Sequence, residues 1–198
     1  MTAHPALYSA LEPIPQPETV PILGVPLALT DYASVLGWID EMVARRERGY
    51  VCVANVHTVM AFSEDPALRD AVLGSSLNLP DGQPLVWAVN ALGYELGSRV
   101  YGPELMLRAC ARAARTGQRM FLYGGHNQGA LVELALNLRR RYPGVRIVGG
   151  YSPPHRALRE DESAAVAADI NRSGADVVWV GIGVPKQEKW MAAMRERI

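Results

Sequence analysis

Apolar residues gather along this chain in two alternating patterns. Short β-rich runs occur at YVCVAN (50–55), RMFLYGG (119–125), VRIVGG (145–150) and ADVVWVGIG (175–183), each closing on polar or glycine-rich residues. Between them the apolar positions recur at helical spacing. Val35, Trp38, Ile39, Met42 and Val43 mark one face, with Thr30 or Asp31 as the candidate cap. Met106, Ala109, Cys110 and Ala113 mark a second face, and Leu131, Leu134, Ala135 and Leu138 a third. Residues 1–19 hold four prolines and no periodic pattern, so they read as an extended arm ahead of one domain over 20–198.

Strands that alternate with helices and are themselves almost continuously apolar predict an α/β fold. The expected form is a Rossmann-like, mostly parallel sheet with helices on both faces. Such sheets bind ligands at the carboxyl ends of their strands. The unusual residues of this chain fall there: Asn55, Asp81 after the LNL segment, Gly124 and Gly125, and the stretch from Gly181 to Gln187.

Composition narrows the class. A chain of 198 residues suits a single domain with a substantial core. Twenty basic residues balance twenty acidic ones, so no cationic excess exists to neutralise a nucleic acid. Cys52 and Cys110 are isolated, without the spacing of a disulfide framework or a zinc site, and fit a reducing cytoplasm. The first residues lack the pattern of a signal peptide, and the uncharged stretches fall short of the roughly 18 apolar residues of a membrane span. Membrane contact is therefore expected to be peripheral. The only two lysines, Lys186 and Lys189, share one segment, GVPKQEKW.

Each candidate site has a functional and a conformational reading. In LYGGHNQGALVE a strand runs through glycines into a helix, a geometry that offers backbone N–H groups to a phosphate. His126 stands where a dinucleotide fingerprint needs its second glycine, so these glycines equally fit a tight turn. In GIGVPKQEKW, Pro185 is placed to open a helix whose first turn holds Lys186, Gln187 and Glu188. That turn suits a sugar or diphosphate, or is simply a capped helix with solvated charges. Asp81 sits in Pro-Asp-Gly, favoured turn chemistry, and is also a carboxylate at a strand end, where a general base would stand. His57 has no partner that marks it as more than structural. No GxSxG or reactive-cysteine setting is present, which disfavours hydrolysis by a triad.

Taken in order, Asn55, PDG (80–82), RVYGPEL (99–105), FLYGG (121–125), YPGVRIVGGY (142–151) and VGIGVPKQEKW (180–190) resemble the WecG/TagA/CpsF family of bacterial glycosyltransferases. The resemblance spans residues 50–198. It implies an inverting enzyme that moves a hexose from a UDP-sugar to a sugar on a polyprenyl diphosphate, for cell-surface polysaccharide. The donor sugar implied is N-acetylmannosamine, a related uronic acid or glucose. Asp81 becomes the implied base and Asn55 a catalytic partner that orients sugar or acceptor. Gln187, Lys186, Gly183, Arg99, His126 and the loop amides of Gly124 and Gly125 form the implied substrate-binding set. The chain has no Asp-x-Asp, the usual carboxylate pair for a metal-bound nucleotide sugar, so a metal-independent reaction without cofactor is expected. Leaving-group charge would then fall to arginines, lysines and helix N-termini.

Three positions depart from the family pattern. Val53 replaces a frequent threonine, Pro84 a second glycine after PDG, and Glu104 a commoner aspartate. The chain ends at RERI, where family members usually continue with an appendage that binds membrane and supplies cations. A cytoplasmic protein held at the inner membrane face through such a segment is the expectation, with oligomeric state left open. The runner-up readings are a nucleotide-cofactor oxidoreductase and a non-catalytic nucleotide-sugar-binding module.

Overall fold

The computed structural model of the chain describes residues 13–198, so the first twelve positions of the expected arm lie outside the described residues. Residues 13–18 carry no regular structure and lead into a hairpin of β1 (Thr19–Ile22) and β2 (Val25–Ala28), paired antiparallel. Helix α1 (Tyr32–Arg45) follows. Of the two candidate caps, Asp31 takes the role: its carboxylate accepts the Ser34 N–H at 2.8 Å.

From there strand and helix alternate. The order is β3 (Val51–Ala54), α2 (Val56–Glu64), α3 (Pro66–Leu73), β4 (Leu77–Pro80), α4 (Gln83–Ala91), α5 (Gly102–Thr116), β5 (Arg119–Gly124) and α6 (Gln128–Arg141). Then come β6 (Arg146–Tyr151), α7 (Glu160–Ser173), β7 (Val177–Gly181) and α8 (Lys186–Met194). All four expected strand runs are strands. The hairpin, α2, α3, α4 and α7 add elements that the apolar pattern does not announce.

Pairing beyond the hairpin is parallel throughout. β3 pairs with β4, and β5 lies between β6 and β7, so the hydrogen bonds form two parallel sheets where the strand pattern suggests one. Apolar periodicity reports which face a residue occupies; it does not name the neighbouring strand.

The two faces of β5 show how helices cover the fold. Met120 and Leu122 join the main core with Val35 and Leu36 of α1, Leu105 and Ala109 of α5, and Leu131 and Leu138 of α6. Phe121 and Tyr123 point the other way, into a cluster with Val166 and Ile170 of α7. β4 divides in the same manner, with Leu77 and Leu79 in the main core and Asn78 donating to the Val72 carbonyl of α3 at 3.1 Å. Burying a leucine such as Leu79 or Leu122 contributes about 1.5–3 kcal/mol, so this two-sided burial drives the layering. The result is a Rossmann-like α/β domain with parallel strands flanked by helices. Among the described residues no helix is long and apolar enough to cross a membrane.

Candidate active site

The parallel register of β3 and β4 ends with Ala54 opposite Pro80. The next residues on the two strands are therefore Asn55 and Asp81. The ladder continues one step further, since the Asp81 backbone N–H donates to the Ala54 carbonyl at 2.7 Å. Adjacent strands stand about 4.8 Å apart, so the two residues stand side by side at the carboxyl ends of the strands.

Asn55 is the N-cap of α2. Its Oδ1 accepts the Thr58 N–H at 3.0 Å, and Thr58 Oγ1 accepts the Asn55 N–H at 3.3 Å, a reciprocal capping box. The cap uses only the oxygen. The two Nδ2 hydrogens have no partner among the described residues.

Asp81 is half-buried. Desolvation lifts its carboxyl above the ordinary 3.8, while the nearby Arg99 guanidinium and the Gly102 backbone amide pull it back. The segment that carries those two groups returns from α4 to β4, where the Val100 N–H donates to the Pro80 carbonyl at 2.9 Å. Arg99 itself is exposed and lies over the Tyr101 ring at 5.0 Å. The Tyr101 N–H donates to the Tyr32 hydroxyl at 2.9 Å, which ties this return to α1.

The three departures from the family pattern have local accounts. Val53 lies beneath Gly102, whose Cβ, if present, would meet Val53 Cγ1 at 3.5 Å, so the valine supports the start of α5. Pro84 occupies the first turn of α4, where a missing N–H leaves no helical bond unmade. Glu104 lies in the first turn of α5, favourable to the helix dipole, and accepts from Arg108 Nε at 2.7 Å.

The glycine loop after β5 is a packing feature first. A Cβ on Gly124 would stand 2.3 Å from the Gly181 carbonyl oxygen, so close approach of β5 and β7 excludes any side chain there. The Gly125 N–H donates to that same carbonyl at 3.4 Å, and the Gly125 carbonyl accepts from Ser152 Oγ at 3.3 Å. Asn127 caps α6. What the loop presents outward is His126, exposed, with its ring 5.9 Å from that of His155.

From Gly181 the chain turns through Gly183 into α8. Gly183 adopts φ +83°, a conformation that suits glycine, and its carbonyl accepts the Gln187 backbone N–H at 3.0 Å. The Gly183 N–H donates to Gln187 Oε1 at 3.2 Å, and Gln187 Nε2 donates to Glu188 Oε1 at 3.2 Å. Lys186 opens the helix and is exposed.

Two contacts fix α8 to the rest of the site. Lys189 Nζ donates to Asp65 Oδ2 at 2.5 Å, binding the helix to the junction of α2 and α3. The Trp190 ring stacks on Tyr123 of β5 with centroids 4.0 Å apart. Glu188 also feels the charge of His57, two residues beyond Asn55, so the start of α8 lies near the start of α2. Asn55, Asp81 and Arg99 thus form one group. Gly183, Lys186 and Gln187 form a second, joined to the first through α2 and to Gly124, Gly125 and His126 through Gly181.

Sequence reasoning did not anticipate the burial of Glu188, the Lys189–Asp65 pair or the Trp190–Tyr123 stack. Glu188 in a first helical turn reads as a solvated charge, and only tertiary packing makes it a core residue. A surface cavity of about 330 Å³, lined by Gln16, Thr19, Ser75, Leu77 and Asn78, lies at the amino end of β4, away from these groups. Among the described residues no three His, Cys, Asp or Glu side chains converge as a metal site.

The sequence is similar to that of known proteins. A relative from Bacillus subtilis (strain 168), an N-acetylglucosaminyldiphosphoundecaprenol N-acetyl-beta-D-mannosaminyltransferase, is 26% identical over 176 residues. The match covers 88% of this chain and 66% of that relative, so the chain spans less than two thirds of the relative's length. The family model for the glycosyl transferase WecG/TagA/CpsF family matches residues 20–198, from the first hairpin through α8. The ordered motifs around Asn55, Asp81 and Gln187 and this match over nearly all the described residues agree: the chain belongs to the WecG/TagA/CpsF family of glycosyl transferases.

Proposed function

We propose that the protein is an inverting glycosyltransferase that moves an N-acetylmannosamine-type hexose from a UDP-sugar to a sugar carried on a polyprenyl diphosphate, in cell-surface polysaccharide synthesis. The observation that carries this reading is the pairing of Asp81 with Asn55 at adjacent strand ends, with Asp81 desolvated and steered by Arg99. The relative's name supplies the substrate class: an N-acetylglucosaminyl diphospholipid acceptor and an N-acetylmannosaminyl donor group.

In this mechanism the acceptor hydroxyl lies against Asp81, and its oxygen attacks the anomeric carbon from the face opposite UDP. Asp81 takes the hydroxyl proton as the new C–O bond forms. The bond from the anomeric carbon to the diphosphate oxygen breaks, and its electron pair leaves with UDP. Asn55 Nδ2 donates to acceptor or sugar and fixes the angle of attack. Lys186, at the exposed start of α8, and the free capacity of the Gln187 amide face the departing diphosphate, which a helix N-terminus also favours. His126 extends the same edge toward the nucleotide. A lipid-linked acceptor brings the reaction to the membrane surface, which the protein meets peripherally.

A panel of UDP-sugars with a soluble prenyl-diphosphate N-acetylglucosamine acceptor tests the reading. The expected result is a disaccharide product formed from UDP-N-acetylmannosamine, with the opposite anomeric configuration to the donor. Retention of configuration, or protection of the protein by NAD(H) and not by UDP, contradicts it.

A further inference from the structure

Glu188 lies in the first turn of α8 and is fully buried, 0% exposed. Its Oε1 accepts from Gln187 Nε2 at 3.2 Å, and its Oε2 has no hydrogen-bond partner among the described residues. An ionised carboxylate buried this way needs a cation or several donors. Among the described residues no cation is paired with it, and the donors are the Gln187 amide and the residue's own backbone N–H.

On α8, Lys186 is exposed and Lys189 is paired with Asp65, and at the end of the helix its cap residue Arg195 donates to the Gly74 carbonyl. On α3, which packs against α8, Arg69 donates to the carbonyls of Phe62 and Ser63, and Asp70 is exposed. On the β3 side, the Tyr50 hydroxyl donates to the Ala71 carbonyl, and burial pushes the Cys52 thiol up to about 12, so it stays protonated. β7 presents no ionisable side chain. His57 of α2 is the group whose charge favours the ionised form, and it is exposed to water.

We propose that Glu188 is a positioning residue that acts as an uncharged carboxylic acid and holds the Gln187 amide in the orientation that substrate meets. The inference rests on the glycosyltransferase reading above, because Gln187 is a substrate contact only within it. The geometry defines the clamp. Gln187 Oε1 takes the Gly183 N–H and Gln187 Nε2 gives one proton to Glu188 Oε1, so both ends of the amide are assigned by their partners. One N–H and one lone pair of Gln187 remain for substrate. The Glu188 proton sits on Oε2, since Oε1 is an acceptor. Desolvation lifts this carboxyl above its ordinary 4.5 and so favours that proton. Ionisation would draw water or a cation toward the start of α8 and loosen the clamp.

Infrared difference spectra of the wild type against Glu188→Gln test the charge state directly. The expected result is a protonated-carboxyl band at neutral pH, present in the wild type, absent from the variant and lost as the wild type is taken to alkaline pH. Transfer kinetics test the positioning role. Glu188→Gln, a neutral isostere, should keep kcat/KM within about threefold, whereas Glu188→Ala should lose about tenfold or more. In a Gln187→Ala background, Glu188→Ala should add little, because the two act as one unit.

An ionised Glu188 in the infrared spectrum at neutral pH overturns the proposal. So does a folded Glu188→Gln as impaired as Glu188→Ala, or additive losses in the double variant. A wild type that transfers no sugar overturns the functional reading, and with it the substrate role of Gln187, whether or not the band is present.

Discussion

Asn55 and Asp81 occupy the first positions beyond the last registered pair of β3 and β4, which places a helix cap and a carboxylate side by side at one end of the sheet. The two ends of the Asn55 amide differ: Oδ1 caps α2, and Nδ2 has no partner among the described residues. Asn55→Asp separates them, since aspartate is an equally good cap but brings no donors and adds a charge beside Asp81. We expect that variant to melt close to the wild type and to lose transfer. Asn55→Ala should lose both transfer and about 1 kcal/mol of stability, the usual value of a cap. Thermal melts run beside transfer assays check this, and wild-type activity in Asn55→Asp contradicts it.

The pH dependence of transfer follows from the surroundings of Asp81. A base must be ionised, and desolvation raises Asp81 above 3.8, so activity should fall on the acid side at a pH higher than that value. Arg99 holds the carboxyl down. Arg99→Gln should therefore shift the acid limb to higher pH, and high salt should shift the wild type in the same direction by screening an exposed guanidinium. An acid limb that does not move in either experiment argues against Asp81 as the titrating group.

Gly124 gives a stability prediction that is independent of chemistry. An added Cβ meets the Gly181 carbonyl oxygen at 2.3 Å, and φ is +141°, so Gly124→Ala should destabilise by about 2 kcal/mol or more. Gly97, with open space around it and no unusual φ, is the control and should change by less than about 0.5 kcal/mol. Urea denaturation of the two variants measures the difference.

Glu188 should also leave a mark on stability. Its folded-state pKa lies above the ordinary 4.5, so the native protein holds a proton that the unfolded chain releases. The stability this contributes is complete below pH 4.5 and is lost as pH rises through the folded pKa. Relative to Glu188→Gln, the wild type should therefore weaken steadily from about pH 4.5 upward. Parallel curves for the two proteins across that range contradict the assignment.

The architecture was largely legible because long apolar runs and strong helical faces carry it: β3, β5, β6, β7, α1, α5 and α6 all follow from pattern. The rest of the fold escaped for identifiable reasons. α2, α3 and α4 are eight or nine residues long, too short to build a clear period. β1 and β2 each contain a proline, Pro21 and Pro26, which argues against a strand until the two are seen to face each other in an antiparallel hairpin. At the site, the positions of Asn55, Asp81 and Gln187 were legible because strand ends and motif order mark them. The environment was not. Lys189 finds Asp65 across 124 residues of chain, and Glu188 becomes buried only when α8 packs against α3. The glycines after β5 fit a phosphate loop in sequence, yet Gly124 answers first to the Gly181 carbonyl.

The proposed reaction needs Asp81 as its base, and Asp81→Asn removes that base with the least disturbance, since the amide keeps the shape but cannot accept the proton. Single-turnover transfer from UDP-N-acetylmannosamine to a soluble prenyl-diphosphate acceptor should fall about 10²- to 10⁴-fold in that variant. UDP affinity should be retained, and the melting temperature should be equal or higher, because a carboxylate that burial disfavours has been removed. Transfer by Asp81→Asn at the wild-type rate would contradict the assignment.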